Sequence, residues 1–406
     1  MASEEIVLEG HIIDSLTLPK VMDAIVYHDG DFEVMEIRVG RTRDAESYAR
    51  LKVTAPDAAT LDAILELVGP LGARILDNHD VRTAPAPRDG ALPDDFYSTT
   101  NLETQVRIQG QWVPVANTEM DRAIVVDGAT GTAAMKPMSE VKAGEAVAVG
   151  HSGIRVTPLA RLSSRDVFSF MNSDVSSEKP KAQVIQGIAQ EMRELRERGG
   201  RVCVVAGPAI VHSGASPWLA ALIRDGYVQA LLGGNAVATH DVEHALYGTS
   251  LGVDIAKGSS VEGGHNHHMR ALNAIRRAGS LRAAVDQGIL TQGIMVEAIR
   301  AGITMVLAGS IRDDGPMPDV ITDVVEAQRQ MRAALRGVDM VLMICSMLHS
   351  IAVGNLLPAS VRVVAVDINP SVVVKLADRG TFQAVGLVTD AELFLRELGE
   401  ALDVRP

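Results

Sequence analysis

Aromatic side chains make up only 3% of the 406 residues, and cysteine occurs twice, as Cys203 and Cys345. A disulfide framework is therefore excluded as the main source of stability. Both thiols lie in apolar strand-like runs, where a buried, reduced cysteine is the expected state. Long basic runs are missing too. Lys and Arg number 38 against 51 Asp and Glu, a formal net charge of −13. That balance argues against nucleic acid or an anionic membrane as a partner, since both require clustered cations. The most apolar long window, residues 338–358, is interrupted by Asp339, His349 and Asn355 and falls short of a membrane span. The start, Met1-Ala2-Ser3-Glu4-Glu5, lacks the basic and apolar stretches of a signal peptide. A soluble, cytoplasmic protein is expected, and a homo-oligomer. Its core is built from Ala, Val, Leu, Ile and Met, because hydrophobic residues still reach 47%.

The length predicts two or three domains. Residues 1–98 read as a small ferredoxin-like α/β domain. Ile6–Ile13 is a strand, Met22–His28 a short helix, Phe32–Val39 and Ala49–Ala55 strands, Ala58–Val68 a helix capped by Asp57 and stopped by Gly69-Pro70, and Ala73–Asp77 a strand. The Pro-, Asp- and Gly-rich stretch 82–98 is expected to be a linker. Residues 99–170 hold short strands separated by turns such as Asp127-Gly128, a small β domain. From 171 to 406, apolar runs alternate with helical segments, which predicts a Rossmann-like parallel sheet covered on both faces.

Ligands of such sheets bind outside the carboxyl ends of the strands. The residues at those ends are polar and small: Gly207-Pro208, Gly233-Gly234-Asn235-Ala236, Gly309 to Gly315, Ser346 to Ser350, Asp367-Ile368-Asn369 and Thr389-Asp390. The stretch 339–369 is the most informative. An apolar run ends in Ser346-Met347-Leu348-His349-Ser350, which can open a helix, and a second run ends in Asp367. That is the layout of a mononucleotide-binding half, with phosphate at the turn and ribose hydroxyls on the acid. The usual glycine-rich fingerprint is missing, so phosphate would fall to backbone N–H groups and the hydroxyls of Ser346 and Ser350. A plain structural strand–helix–strand unit stands beside this reading at even weight. Asp390 reads first as a helix N-cap. Of Asp313 and Asp314, adjacent in a turn, at most one faces a cleft. The segment 257–270 carries Glu262, His265, His267 and His268, but their spacing fits neither a helical His pair nor a zinc finger. A flexible polar loop with one group moving protons is the preferred reading, and no metal is expected.

Together these segments resemble the archaeal-type ornithine cyclodeaminase family. The likeness covers nearly the whole chain, from Leu8-Glu9-Gly10-His11-Ile12-Ile13-Asp14-Ser15 through Thr239-His240-Asp241, Gly248 to Gly252, Glu262-Gly263-Gly264-His265, Ala308 to Pro316, Met347 to Asn355 and Val366 to Pro370. It extends to the C-terminal module of bifunctional arginine dihydrolase/ornithine cyclodeaminases and to the conserved region of lysine-ketoglutarate reductase/saccharopine dehydrogenase proteins. The resemblance implies tightly bound NAD, conversion of L-ornithine to L-proline and ammonia, no catalytic metal and no guanidine chemistry. It implies NAD contacts at Asn235, Ala236, Asp314, Ser346, Met347, Leu348, His349, Asp367 and Asp390. By residue type, Glu262, His265, Asp254 or Asp313 would serve the reacting amines, and Arg270 or Lys257 the substrate carboxylate. An amino-acid or opine dehydrogenase and an NAD/amino-acid sensor are the alternatives.

Overall fold

The computed structural model describes residues 1–13, 15–42, 45–75, 79–157, 181–255, 259–260, 264–313, 315–378 and 384–406. The chain divides into two compact units, Met1–Ser169 with Leu357–Ser360, and Phe170–Leu356 with Val361–Pro406.

The first unit begins with β1 (Ala2–Gly10), α1 (Thr17–Tyr27), β2 (Asp31–Arg38), β3 (Ser47–Ala55), α2 (Ala58–Val68) and β4 (Arg74–Ile75). The strands stand in the order β2-β3-β1-β4, with every pairing antiparallel. This βαββαβ sheet is ferredoxin-like. Asp57 caps α2 by accepting the Thr60 N–H at 2.8 Å. Ile25 from α1, Ile64 from α2 and Leu8 and Leu51 from the sheet are fully buried in one core.

The second sheet of this unit is formed by β5 (Thr83–Pro85), β6 (Thr104–Ile108), β7 (Gln111–Ala116), β8 (Ala123–Asp127), β9 (Thr132–Lys136), β10 (Ala146–Ala148) and β11 (Ile154–Val156). Their order is β11-β6-β7-β9-β8-β10-β5. The stretch read as a linker is part of it: β5 pairs with β10, and Phe96 and Ser98 bridge to Val149 and Ala123. β5 is an edge strand, and an edge tolerates the proline whose presence, with Asp and Gly, makes the stretch read as a linker.

In the second unit, α3 (Lys181–Glu197) precedes β12 (Val202–Ala206), α4 (Ala209–His212), α5 (Ser216–Arg224), β13 (Ala230–Gly234) and α6 (Asn235–Tyr247). An excursion follows: the short strands β14 (Thr249–Ser250), β15 (Val253–Asp254) and β16 (Ser259–Ser260), then α7 (His267–Ala278) and α8 (Leu281–Asp286). The chain returns through α9 (Ile294–Ala301), β17 (Thr304–Ala308), β18 (Val320–Ile321), α10 (Val324–Ala334), β19 (Met340–Ile344), α11 (Leu348–Gly354), β20 (Arg362–Asp367), α12 (Pro370–Asp378), β21 (Ala384–Val388) and α13 (Ala391–Ala401). The parallel sheet has the order β18-β17-β13-β12-β19-β20-β21. Without the short edge strand β18, this is the 3-2-1-4-5-6 order of the Rossmann fold, and its switch point lies between β12 and β19. All residues of β12, β13 and β19 are buried, as expected for strands covered on both faces. Among the described residues, no helix is long and apolar enough to cross a membrane.

Candidate functional site

The carboxyl ends of the parallel strands converge on one rim, and the switch point is its tightest place. A Cβ on Gly207, just after β12, would fall 1.7 Å from the carbonyl oxygen of Cys345, just after β19. Cys345 itself turns with φ +51°, in the left-handed region. Burial, with Asp367 and Asp390 adding to it, pushes the Cys345 thiol up to about 12, so it is not a thiolate nucleophile at neutral pH. The same influence places both carboxylates near Cys345.

Gly233 and Gly234 are the last residues of β13 rather than a turn. A Cβ on Gly234 would meet the His349 ring at 2.8 Å, so glycine lets that imidazole lie against the strand end. Burial lowers the His349 pKa against the opposing pull of Asp313. Asn235 opens α6, and its side chain ties two loops together. Its Nδ2 donates to Asp313 Oδ1 at 3.2 Å, and its Oδ1 accepts the Met317 N–H at 3.1 Å. Asp313 also accepts the Ser310 N–H at 2.7 Å, so its carboxylate is spent on holding the loop.

Four large apolar side chains of the rim face outward: Ile311, Met347, Leu348 (71% exposed) and Ile368 (70%). Met347, Leu348 and Ile368 follow the neighbouring strands β19 and β20, a place where a ligand with a flat apolar ring would cover them, while Ile311 follows β17, across β13 and β12 on the same rim. In α11, Ser350 Oγ is fully buried without a hydrogen-bond partner among the described residues, and such an orphaned hydroxyl calls for an acceptor or donor from a ligand or water. Asp367 accepts the Asn369 N–H at 2.8 Å. Asp390 is the N-cap of α13, accepting the N–H groups of Glu392 at 2.8 Å and Leu393 at 3.3 Å. The structure thus brings Asn235, Ser346, Met347, Leu348, His349, Asp367 and Asp390 to strand ends of one sheet, with Ala236 exposed in the first turn of α6. Asp314, Glu262 and Lys257 lie outside the described residues, as do the side chains of Asp254 and His265. Among the described residues no cluster of three metal-ligating groups forms. His267, His268 and Arg270 are not loop residues: they form the first turn of α7.

Sequence reading missed a second cluster, contributed by four elements. Glu243 on α6 is fully buried and accepts from Thr249 Oγ1 (2.9 Å), Leu251 N (3.1 Å) and Gly252 N (3.0 Å), and its other partner is His240 Nδ1 at 3.1 Å. Burial favours protonation of Glu243, but these donors outweigh it and hold its carboxyl below the usual value. The His240 ring lies 4.7 Å from that of His212 on α4, whose Nδ1 is 2.6 Å from Ser250 Oγ. Burial and His240 lower the His212 pKa, with Glu243 opposing. Thr249 Oγ1 also meets His267 Nδ1 at 2.8 Å, and the His267 ring stacks on Tyr247. The motifs around Thr239 and Gly248 include His240, Thr249 and Ser250, and the segment 257–270 includes His267, but sequence reading singles out neither His212 nor Glu243, and only His240 and Glu243 share a local spacing, one turn of α6.

Comparison with known proteins gives three family matches in tandem. Residues 3–102 match the LOR/SDH bifunctional enzyme conserved region, and 103–185 the first region of the arginine dihydrolase ArgZ-like C-terminal part. Residues 186–398 match the Rossmann fold of that same C-terminal part. The chain is 54% identical to an ornithine cyclodeaminase of Methanocaldococcus jannaschii over 99% of its own length and 97% of the relative's. It is 46% identical to the bifunctional arginine dihydrolase/ornithine cyclodeaminase AgrE of Nostoc, covering 57% of that longer protein. Among solved structures, a LOR/SDH protein of Methanococcus maripaludis matches with TM-score 0.76 at 50% identity, over 80% of this chain and 98% of that one. The complex of AgrE with ornithine and NAD+ matches with TM-score 0.54 at 45% identity, over 99% and 57%.

Proposed function

The chain belongs to the ornithine cyclodeaminase family of its archaeal relatives, and from that premise we propose that it converts L-ornithine to L-proline and ammonia with NAD as a recycled cofactor. Likeness over the full length at 54% identity carries this reading. The rim supports it, because its features fit a dinucleotide: outward apolar side chains, the orphaned Ser350 hydroxyl, and two carboxylates at neighbouring strand ends. Asp367 would receive ribose hydroxyls and, being anionic, select NAD over its 2′-phosphate form. Ser346, Met347, Leu348 and His349 would line the phosphates, with Asp390 beside the adenosine end. Asn235, Ala236 and Asp314 would hold the other end. When bound, NAD supplies a reversible acceptor for the hydrogen on the substrate α-carbon, so the net reaction is redox-neutral.

The chain's own task is then proton traffic. The δ-ammonium must lose a proton before its nitrogen can attack the α-carbon, and the departing α-amine must gain one. His212, whose pKa burial and His240 lower, is kept in the neutral form that can accept a proton. His240, its Nδ1 held 3.1 Å from the buried Glu243 carboxylate, is fixed beside the His212 ring. Glu262, His265 and Asp254, in the neighbouring excursion, complete the set of proton-transfer candidates.

The test uses ornithine deuterated at the α-carbon with the purified protein. Proline and ammonia should form in equal amounts, and proline should retain the deuterium. Loss of label to solvent, or no proline, overturns the reading. NADH accumulating in proportion to amino acid consumed would mark a dehydrogenase instead.

A further inference from the structure

The first unit contains a cavity of about 310 Å³, lined by residues of β1, β4, β6 and β11. It is small for a ligand pocket, and its charges are balanced. Arg74 and Arg155 face it together with Glu9 and Glu46. Arg74 Nη2 is paired with Glu9 Oε2 at 2.8 Å. Arg155 is held differently. Its Nε donates to Gln105 Oε1 at 2.5 Å and its guanidinium lies 4.5 Å over the Trp112 ring. No carboxylate among the described residues forms a salt bridge with it. Burial and the nearby Arg74 hold the Arg155 pKa below its usual value, with Glu9 opposing. A fixed, partly dehydrated guanidinium beside a second one is a site waiting for an anion.

We propose that this cavity binds a free α-amino acid, its carboxylate on Arg155 and its ammonium toward Glu9 and Glu46. A phosphorylated ligand would meet two carboxylates there, and a polyamine two guanidinium groups. A dipolar ligand satisfies both signs. Gly10 adds room at the wall, since a Cβ there would touch nothing within 4 Å. The amino acid comes from one of two sources, the substrate or an effector such as the product. The choice of probes rests on the proposed function, but the site itself does not.

The experiment titrates the full chain calorimetrically with L-ornithine, L-proline and L-arginine, in the wild type and in Arg155→Gln, Arg155→Lys and Glu46→Gln. At least one amino acid should bind. Arg155→Gln should weaken it tenfold or more, Arg155→Lys less, and Glu46→Gln several-fold, while NAD affinity stays unchanged in all three. Equal amino-acid affinity in all variants, or no binding to the wild type, overturns the proposal. A rise in the ornithine KM with the same variants assigns the cavity to substrate. Weaker proline or arginine binding with an unchanged ornithine KM assigns it to an effector. Arg155-dependent binding in a protein that makes no proline would leave the cavity standing and remove the ornithine reaction. Proline formation with Arg155-independent binding would do the reverse.

Discussion

The two units use their sheets in opposite ways. In the first, β3 alternates buried residues with partly or fully exposed ones along its length, as an antiparallel strand with one covered face does. Its cavity lies among residues far apart in sequence, from Glu9 to Arg155. In the second, β19 is buried at every residue, so nothing along the strand is available to a ligand. Chemistry is pushed to the strand ends, where the backbone must turn and polar groups become accessible. A site at strand ends can be read by looking after each apolar run. A site between sheets has no such marker.

The sharpest break in this comparison is one substitution made in both units. Gly207→Ala would drive a Cβ into the Cys345 backbone, and backbone cannot rotate away as a side chain can. The expected loss is about 3 kcal/mol. Gly10→Ala meets no atom within 4 Å but must hold φ +114°, a conformational cost of about 1 kcal/mol. Urea unfolding of single-tryptophan variants reads the units separately, through Trp112 in β7 and Trp218 in α5. Equal losses would show that the switch point is no tighter than the β1 end.

The same contrast explains what was legible in the sequence. Helix Ala58–Val68 was readable to the residue because Asp57 and Gly69-Pro70 mark its ends. The strand ends at Asn235, Ser346 and Asp367 were readable because each follows an apolar run. Strand β5 was not, since its proline is tolerated only at a sheet edge, and edges are a property of the assembled sheet. The parallel pairing of β7 with β9 among antiparallel neighbours was equally hidden. The cluster of His212, His240, Glu243, Thr249 and His267 was illegible for a related reason: His240 and Glu243 share one turn of α6, but the excursion after α6 must fold Thr249 and His267 back onto them and α4 must bring His212, and no period in the sequence records that.

That cluster gives a second test. Glu243 is ionised, buried and surrounded by donors, and glutamine in its place would set an NH2 group against some of those N–H and O–H groups. Glu243→Gln should cost the second unit about 2 kcal/mol, read at Trp218, with Trp112 unaffected. The pH dependence has a fixed sign. Because the folded pKa lies below the reference value of 4.5, the stabilisation is present above about pH 4.5 and is lost as pH falls through the folded pKa. The wild type should therefore lose part of its advantage over Glu243→Gln in acid. A difference constant from pH 7 to pH 3 would remove the ionised carboxylate from the account.

The smallest effects separate capping from ligand binding, using acids that begin from similar local chemistry. Asp57 in the first unit and Asp390 in the second both cap helices through their carboxylates, so each alanine variant should lower the stability of its own unit, by about 1 kcal/mol for Asp390. Asp367 caps no helix and accepts one local N–H, from Asn369. Asp367→Ala should leave stability nearly unchanged yet weaken NAD binding by about 1.5 kcal/mol, roughly tenfold in Kd, as expected when a charged hydrogen bond is lost. Asp390→Ala should do both, with a smaller loss of NAD affinity than Asp367→Ala because part of its carboxylate is committed to α13. Asp57→Ala should leave NAD affinity untouched. If NAD binds Asp390→Ala as tightly as the wild type, Asp390 is a cap and nothing more. If it binds Asp367→Ala as tightly, the adenosine end does not lie over β20, and the ribose must be sought at the other strand ends of the rim, beginning with Asn235 after β13.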